Sequence, residues 1–164
     1  MTSILTLSGK QVDYLNPTVD MICIEDIARA LSCESRFNGH TTDPYFVAQH
    51  SVICSQNVLL PFALEALLHD ATEAYMKDIP TPLKALLPEY KIIERRLDSV
   101  IRQAFGLPPT MSLEVHDADQ RVLDAEMRSF TNHRQRNEFP LFPWETAECY
   151  RLFMSRFETL TYVT

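Results

Sequence analysis

His69 and Asp70 stand side by side in a segment that is otherwise strongly apolar, among Phe62, Ala63, Leu64, Ala66, Leu67, Leu68 and Ala71. An imidazole and a carboxylate withdrawn from water in such a place are costly unless something compensates them. A divalent cation is one compensation, because histidine nitrogen and carboxylate oxygen together suit zinc, manganese, iron or cobalt. A salt bridge is another, and for the dipeptide alone it is the more economical. Glu73 follows at i+4 from His69 and i+3 from Asp70, which on a helix puts all three on one side. Asp78 comes next, just ahead of Ile79-Pro80-Thr81-Pro82-Leu83-Lys84. His50 shares a stripe with Val47 and Cys54, and Asp119 shares one with Val115, Val122, Leu123 and Glu126. Three helices that each bring a ligand to one point of a core are how helical bundles build metal sites.

The elements that must deliver these groups are helical nearly throughout. Three glycines against ten prolines leave little room for hairpins, and apolar residues recur at helical spacing. The start is the exception: Ile4, Leu5 and Leu7, then Val12, Tyr14 and Leu15, can pair around Ser8-Gly9-Lys10. After Pro17, a helix capped near Asp20 carries Ile24, Ile27, Ala28 and Leu31. A polar loop from Ser32 to Asp43 precedes a second helix, which begins near Pro44 and carries Val47, His50, Cys54 and Val58. The third runs from Pro61 through His69, Asp70 and Glu73 until Pro80 and Pro82 stop it, with a short turn from Thr81 to Leu87. A fourth, Glu89 to about Phe105, closes at Gly106 and buries Ile92, Ile93, Leu97, Val100, Ile101 and Ala104. A fifth follows Pro108-Pro109 and reaches Phe130 by way of Asp119, Glu126 and Met127. Arg134 to Pro143 is a polar break. The last helix, Glu145 to about Leu160, buries Ala147, Tyr150, Phe153, Phe157 and Leu160. The expectation is an all-α bundle of about six helices with a short N-terminal β-hairpin, residues 1–164 forming one domain.

His50, then His69-Asp70, then Asp119 reproduce the H…HD…D signature of the HD-domain metal-dependent phosphohydrolases, which this chain resembles. The strings Arg36-Phe37-Asn38-Gly39-His40-Thr41, Tyr45-Phe46-Val47-Ala48-Gln49-His50-Ser51, His69-Asp70-Ala71-Thr72-Glu73-Ala74-Tyr75 and Asp78-Ile79-Pro80-Thr81-Pro82-Leu83-Lys84 look like the nucleotide-acting branch. That branch includes bacterial 5'-deoxynucleotidases and small phage-type deoxynucleoside triphosphate hydrolases. The similar strings run from about Ile24 to Glu126.

The resemblance implies the compact HD-domain bundle, with His50, His69, Asp70 and Asp119 as ligands of one divalent ion (cobalt, manganese, zinc, iron, nickel or magnesium). Such an ion polarises a phosphoryl oxygen and acidifies water. By the same resemblance Glu73 positions or deprotonates the water, or protonates the leaving oxygen. Asp78 supports the site or orients the water, and Arg36 grips phosphate through its planar fork. Lys84 and Lys77 reach further phosphate oxygens, while Phe37 to Gly39 and Pro82 are expected around the rest of the substrate. His40 and His116 lie outside the four-ligand pattern, so a second metal has no evident ligand set. The implied activity is hydrolysis of deoxynucleotides, with Lys84 and Lys77 tilting it toward a triphosphohydrolase, such as dATP to deoxynucleoside plus triphosphate. A 5'-deoxynucleotidase acting on monophosphates, a cyclic-nucleotide or guanosine-polyphosphate hydrolase and a non-catalytic nucleotide-binding regulator are the alternatives. The 19 positions between His50 and His69 favour the small phage-type or prophage-type enzymes.

Composition bounds the partners. The formal net charge of −7 argues against duplex nucleic acid, whose tight binding needs a basic face, though not against a small anionic substrate. Hydrophobic residues at 46% and charged ones at 23% fit a globular chain with a substantial core. Cys23, Cys33, Cys54 and Cys149 are scattered, so they are expected as reduced core or surface thiols. Residues 1–12 contain Lys10 and no long apolar run, and no stretch is long enough for a membrane span. The expected setting is the cytoplasm of a bacterium or phage-infected host. The apolar last helix, with relatives that are commonly oligomeric, points to a homo-oligomer.

Overall fold

Ser3–Leu5 (β1) pairs antiparallel with Gln11–Asp13 (β2), Ile4 opposite Val12, around a turn that Gly9 makes with a φ of 87°. Val12 points into the core, whereas Leu5 and Leu7 stay exposed. Asp26 accepts hydrogen bonds from the backbone N–H and hydroxyl of Ser8, at 2.8 and 2.6 Å, and fastens the hairpin to the first helix. The computed structural model describes residues 2–131 and 142–162, and among these the remaining regular structure is helical.

The helices are α1 (Ile24–Leu31), α2 (Val47–Gln56), α3 (Ala63–Leu68), α4 (Glu73–Met76), α5 (Thr81–Lys84), α6 (Pro88–Ala104), α7 (Leu113–Glu126) and α8 (Thr146–Tyr162). No helix is long and apolar enough to cross a membrane, among the described residues. At the centre lies α2, with Val47 to Val52, Cys54 and Ser55 all buried, packed against α3, α7 and α8. A helix covered on nearly all sides needs no separate polar face, so buried residues surround α2 beyond the stripe of Val47, His50 and Cys54. Around it, Ile27, Leu31, Leu67, Leu97, Ile101 and Phe153 form the main core, and Cys54, Ala66, Val115 and Val122 a smaller one beside the site.

Several elements differ from expectation for local reasons. Asp20 sits in a 3₁₀ turn, Val19–Met21, and α1 starts only after the extended Cys23. Three residues later than Pro44, α2 begins at Val47, because Phe46 first bridges antiparallel to Ser35 and Tyr45 accepts from the N–H of Arg36 at 3.0 Å. The third helix is not continuous. It ends at Leu68, and residues 69–72 wind more tightly, with Ala71 N–H donating to Leu68 and Glu73 N–H to Asp70. Bonds spanning three residues stack i and i+3, so Asp70 and Glu73 lie above one another. Beyond Glu126 the backbone widens into a π-helical turn, Met127–Thr131, that leaves Met127 exposed and Phe130 buried. Ile92 is exposed because the first turns of α6 overhang the core, which Leu97 and Ile101 enter instead. In α8 Ala147 is exposed and Cys149 takes the inward position. Phe153 and Leu160 are spent on the core rather than offered outward. Most of the expected break from Arg134 to Pro143 falls at positions 134–141, outside the described residues.

Candidate metal centre

His50 comes from the middle of α2, His69 and Asp70 from the tight turn after α3, and Asp119 from the second turn of α7. Their inner atoms converge. His50 Nε2 stands 3.3 Å from His69 Nε2, 3.2 Å from Asp119 Oδ1 and 3.6 Å from Asp70 Oδ2. His69 Nε2 is 3.2 Å from Asp70 Oδ2 and 3.8 Å from Asp119 Oδ1. Ligands about 2.0–2.1 Å from a tetrahedral ion lie about 3.3–3.4 Å from each other, so these separations match the edges of a coordination shell.

The far side of each ring is pinned. His69 Nδ1 is 2.8 Å from the carbonyl oxygen of Ala66, which can only accept, so Nδ1 carries the hydrogen and Nε2 is left with its lone pair. His50 Nδ1 is 2.6 Å from Oε1 of Glu126, a fully buried carboxylate that fixes the same tautomer. Two imidazole lone pairs facing each other at 3.3 Å require a cation or a proton between them. The electrostatics agree. Burial and Arg36 pull the His50 pKa down, yet Glu126 and Asp119 outweigh them and raise it well above its ordinary value. Burial likewise opposes protonation of His69, and Asp70 and Asp119 overcome it. Asp70 and Asp119 are held below the usual carboxylate range by the two histidines, despite burial.

Cys54 also belongs to this cluster. His50, Cys54, His69 and Asp119 each place one ligand atom within 4.8 Å of all the others, a group able to hold a metal ion. The expectation of Cys54 as a mere core thiol missed this. Its sulfur lies 3.5 Å from His50 Nε2 and 3.9 Å from Nδ1.

A cleft of about 350 Å³ opens beside the centre. Asp70 and Asp119 border it while His50 and His69 lie behind them, so the carboxylate side is the accessible one. Arg36, Phe37, Glu73, Asp78, Pro82 and Lys84 line it as expected, joined by residues 79–81 and by Gln120 and Leu123 of α7. Burial, Asp70 and Asp78 push the Glu73 carboxyl well above the usual range, and its Oε2 has no hydrogen-bond partner. Burial also raises Asp78, with Asp70 and Glu34 adding to it and Arg36 and Lys84 opposing. Arg36 is almost buried. Its Nε and Nη2 lie 3.1 and 2.9 Å from Glu126 Oε2, and its Nη1 lies 3.6 Å from Asp70 Oδ2. Phe37, Asn38 and Gly39 follow with φ of 55°, 52° and 74°. That left-handed run costs roughly 1–2 kcal/mol for each non-glycine residue, and it turns Phe37 to the rim.

Two expected substrate contacts are elsewhere. Gly39 is exposed and does not line the cleft. Lys77 is exposed too, its φ of 76° turning it outward to pair with Glu34. Lys84 does reach the cleft but is bonded to Glu94 at 2.6 Å. His40 and His116 are exposed and outside the cluster. Besides Cys54, the sequence did not single out as functional Glu126, Tyr45, whose hydroxyl donates to Glu126 at 2.7 Å, or Gln120. Only Glu126 left a trace, as a charged residue on the inward stripe of α7.

No family model matches the sequence. The chain is 45% identical to the Escherichia coli protein YfdR, described as uncharacterized, over 98% of this chain and 97% of that protein. It is 37% identical to an uncharacterized protein of Rhodobacter capsulatus, over 68% of this chain and 62% of that one.

Proposed function

We propose that this chain, which belongs to the family of the Escherichia coli protein YfdR, is a metal-dependent phosphohydrolase of the HD-domain type acting on deoxynucleotides. One observation carries the reading: two buried histidines, each with Nδ1 already bonded, aim Nε2 at a point shared with two carboxylates that border an open cleft. The donor set fits a borderline divalent ion, and Asp70 is the better fourth ligand because its Oδ2 lies 3.2 Å from His69 Nε2 and 3.6 Å from His50 Nε2 on the side that borders the cleft. Bound there, the ion would supply a Lewis acid for a phosphoryl oxygen and acidify water.

The chain's own residues supply the rest. Arg36 binds a phosphoryl oxygen with the guanidinium N–H groups that Glu126 leaves free. Glu73, whose Oε2 is unpartnered and whose carboxyl holds a proton above the usual range, delivers that proton to the leaving oxygen. Asp78 orients the attacking water across the cleft. Phe37, Pro82 and Leu123 take the less polar part of the substrate.

The cations favour a 5'-monophosphate over the triphosphate. Among the described residues, Lys77 lies outside the cleft and Lys84 is engaged by Glu94, so neither lysine expected at a β- or γ-phosphate is free to meet one. Product analysis with the deoxynucleoside mono- and triphosphates, each with Mn²⁺, Co²⁺ or Mg²⁺, tests this. Nucleoside plus orthophosphate from a monophosphate is the expected result. Nucleoside plus triphosphate would restore the triphosphohydrolase, and no release from any nucleotide would defeat the proposal.

A further inference from the structure

We propose that Glu126 is a positioning residue that locks the metal ligand His50 and the phosphate-gripping Arg36 into one fixed relation; the Arg36 half of this rests on the phosphohydrolase reading. Glu126 is 0% exposed, and each of its carboxylate oxygens serves a different functional group. Oε1 accepts from His50 Nδ1 at 2.6 Å and from the Tyr45 hydroxyl at 2.7 Å. Oε2 accepts from Arg36 Nε at 3.1 Å and faces Arg36 Nη2 at 2.9 Å.

The geometry at Arg36 decides what is left for substrate. A guanidinium has five N–H groups in a planar fork. Nε and Nη2 form its side edge, and Glu126 takes that edge. The end edge, Nη1 with the second Nη2 hydrogen, remains, and Nη1 stands 3.6 Å from Asp70 Oδ2 at the border of the cleft. The carboxylate that orients the arginine therefore presents the edge a phosphoryl group can grip with two parallel bonds.

The same helix sets the other half. Glu126 follows Asp119 by seven residues, two turns of α7, so both point to the same side of that helix. Asp119 reaches the convergence point directly, and Glu126 reaches it from behind, through the His50 ring. The hub is itself braced. The π-helical turn that begins at Met127 brings Phe130 against Tyr45, ring centroids 4.4 Å apart, and the Phe130 carbonyl accepts from Thr42 N–H at 3.3 Å. Single π-helical turns are frequent at functional sites.

A residue that only buries charge for stability would make the same contacts, so the test reads ligand affinity as well as folding. Glu126→Gln keeps the shape but turns one acceptor into a donor, which must face either His50 and Tyr45 or Arg36. Co²⁺ affinity is measured by absorbance titration of the metal-stripped protein, orthophosphate affinity on the Co²⁺-loaded protein, and Tm on both. The expected result is Co²⁺ binding weaker by about 10–100-fold and orthophosphate binding weaker by at least about 10-fold. Tyr45→Phe, which removes one hydrogen bond to Oε1 and no charge, is expected to lower both affinities in the same direction by less. It decides the matter where Glu126→Gln does not fold. Folded variants whose two affinities stay within about twofold of the parent, with only Tm lowered, would make Glu126 a structural strut and overturn the proposal. Absence of orthophosphate binding in the parent protein would overturn the phosphohydrolase reading and the Arg36 half, and the Co²⁺ titration would still decide the His50 half.

Discussion

Glu73 is where chemistry and stability pull apart. Burial, then Asp70 and Asp78, raise its pKa in the folded, metal-free chain above the ordinary 4.5. The folded state thus holds a proton that the unfolded state releases, and stability falls as pH rises from that ordinary value through the raised one. Glu73→Gln removes this penalty. The variant is expected to lose at least about 10²-fold in kcat, as a missing general acid should. It should also melt higher than the parent above the usual carboxylate range, with the gain vanishing in more acid solution. A variant with a lower Tm at neutral pH would show that Glu73 is a stabilising carboxylate, not a strained one. At this scale the sequence was informative wherever a residue type is unusual for its surroundings. His50, His69, Asp70 and Asp119 are polar groups on apolar stripes, and the structure brings them together. Cys54 and Tyr45 escaped because a thiol and a phenol are ordinary in a core. Glu126, though a carboxylate on an inward stripe, escaped because its sequence neighbours do not show the His50, Tyr45 and Arg36 groups it meets. Lys77 misled because its neighbourhood in sequence says nothing of the positive φ that swings it away.

The elements that hold the centre are themselves registered by a second buried network. Glu65 in α3 accepts from Arg102 of α6 at 3.2 Å, and from the N–H and hydroxyl of Ser112 at 2.9 and 2.7 Å. Ser112 is also the N-cap of α7, its hydroxyl accepting from Val115 N–H. Glu65 lies one turn before His69, and Ser112 two turns before Asp119, so this clamp sets the approach of both ligands. Glu65→Ala leaves Arg102 with Asp98 and the Pro108 carbonyl and is expected to cost about 3 kcal/mol in urea denaturation, in the range for breaking a buried ion pair. Ser112→Ala should cost about 1 kcal/mol more than an exposed control, as lost N-caps do. A loss below about 1 kcal/mol for Glu65→Ala would show that the clamp behaves like a surface pair. Helix existence was readable from apolar spacing, and β1–β2 from Gly9. The break between α3 and α4 was not. Residues 69–72 contain no glycine or proline to mark a break, although only Ala71 among them is a strong helix former. The tighter turn carries His69 and Asp70 toward the ligand atoms of α2 and α7.

For the whole molecule, the bundle is a scaffold that gathers two histidines and two carboxylates at one point of its interior. Protons on raised histidines stand where an ion would sit, so an ion that binds only the folded state must stabilise it. Co²⁺ at 100 times its Kd should add about 2.7 kcal/mol, a Tm rise of roughly 5–10 °C for a chain of this size. His69→Ala should show none of that rise, and an equal rise there would place the ion elsewhere. The all-helical architecture and its hairpin followed from composition and spacing, whereas the central position of α2 emerged only in three dimensions. The most direct test of the central claim is a titration of metal-stripped protein with Co²⁺ while orthophosphate release from a deoxynucleoside 5'-monophosphate is followed. Release should be absent without metal, rise to a plateau at one equivalent, and stay absent in His69→Ala. Release without metal, or undiminished in His69→Ala, would contradict a single-ion centre built on His50, His69, Asp70 and Asp119.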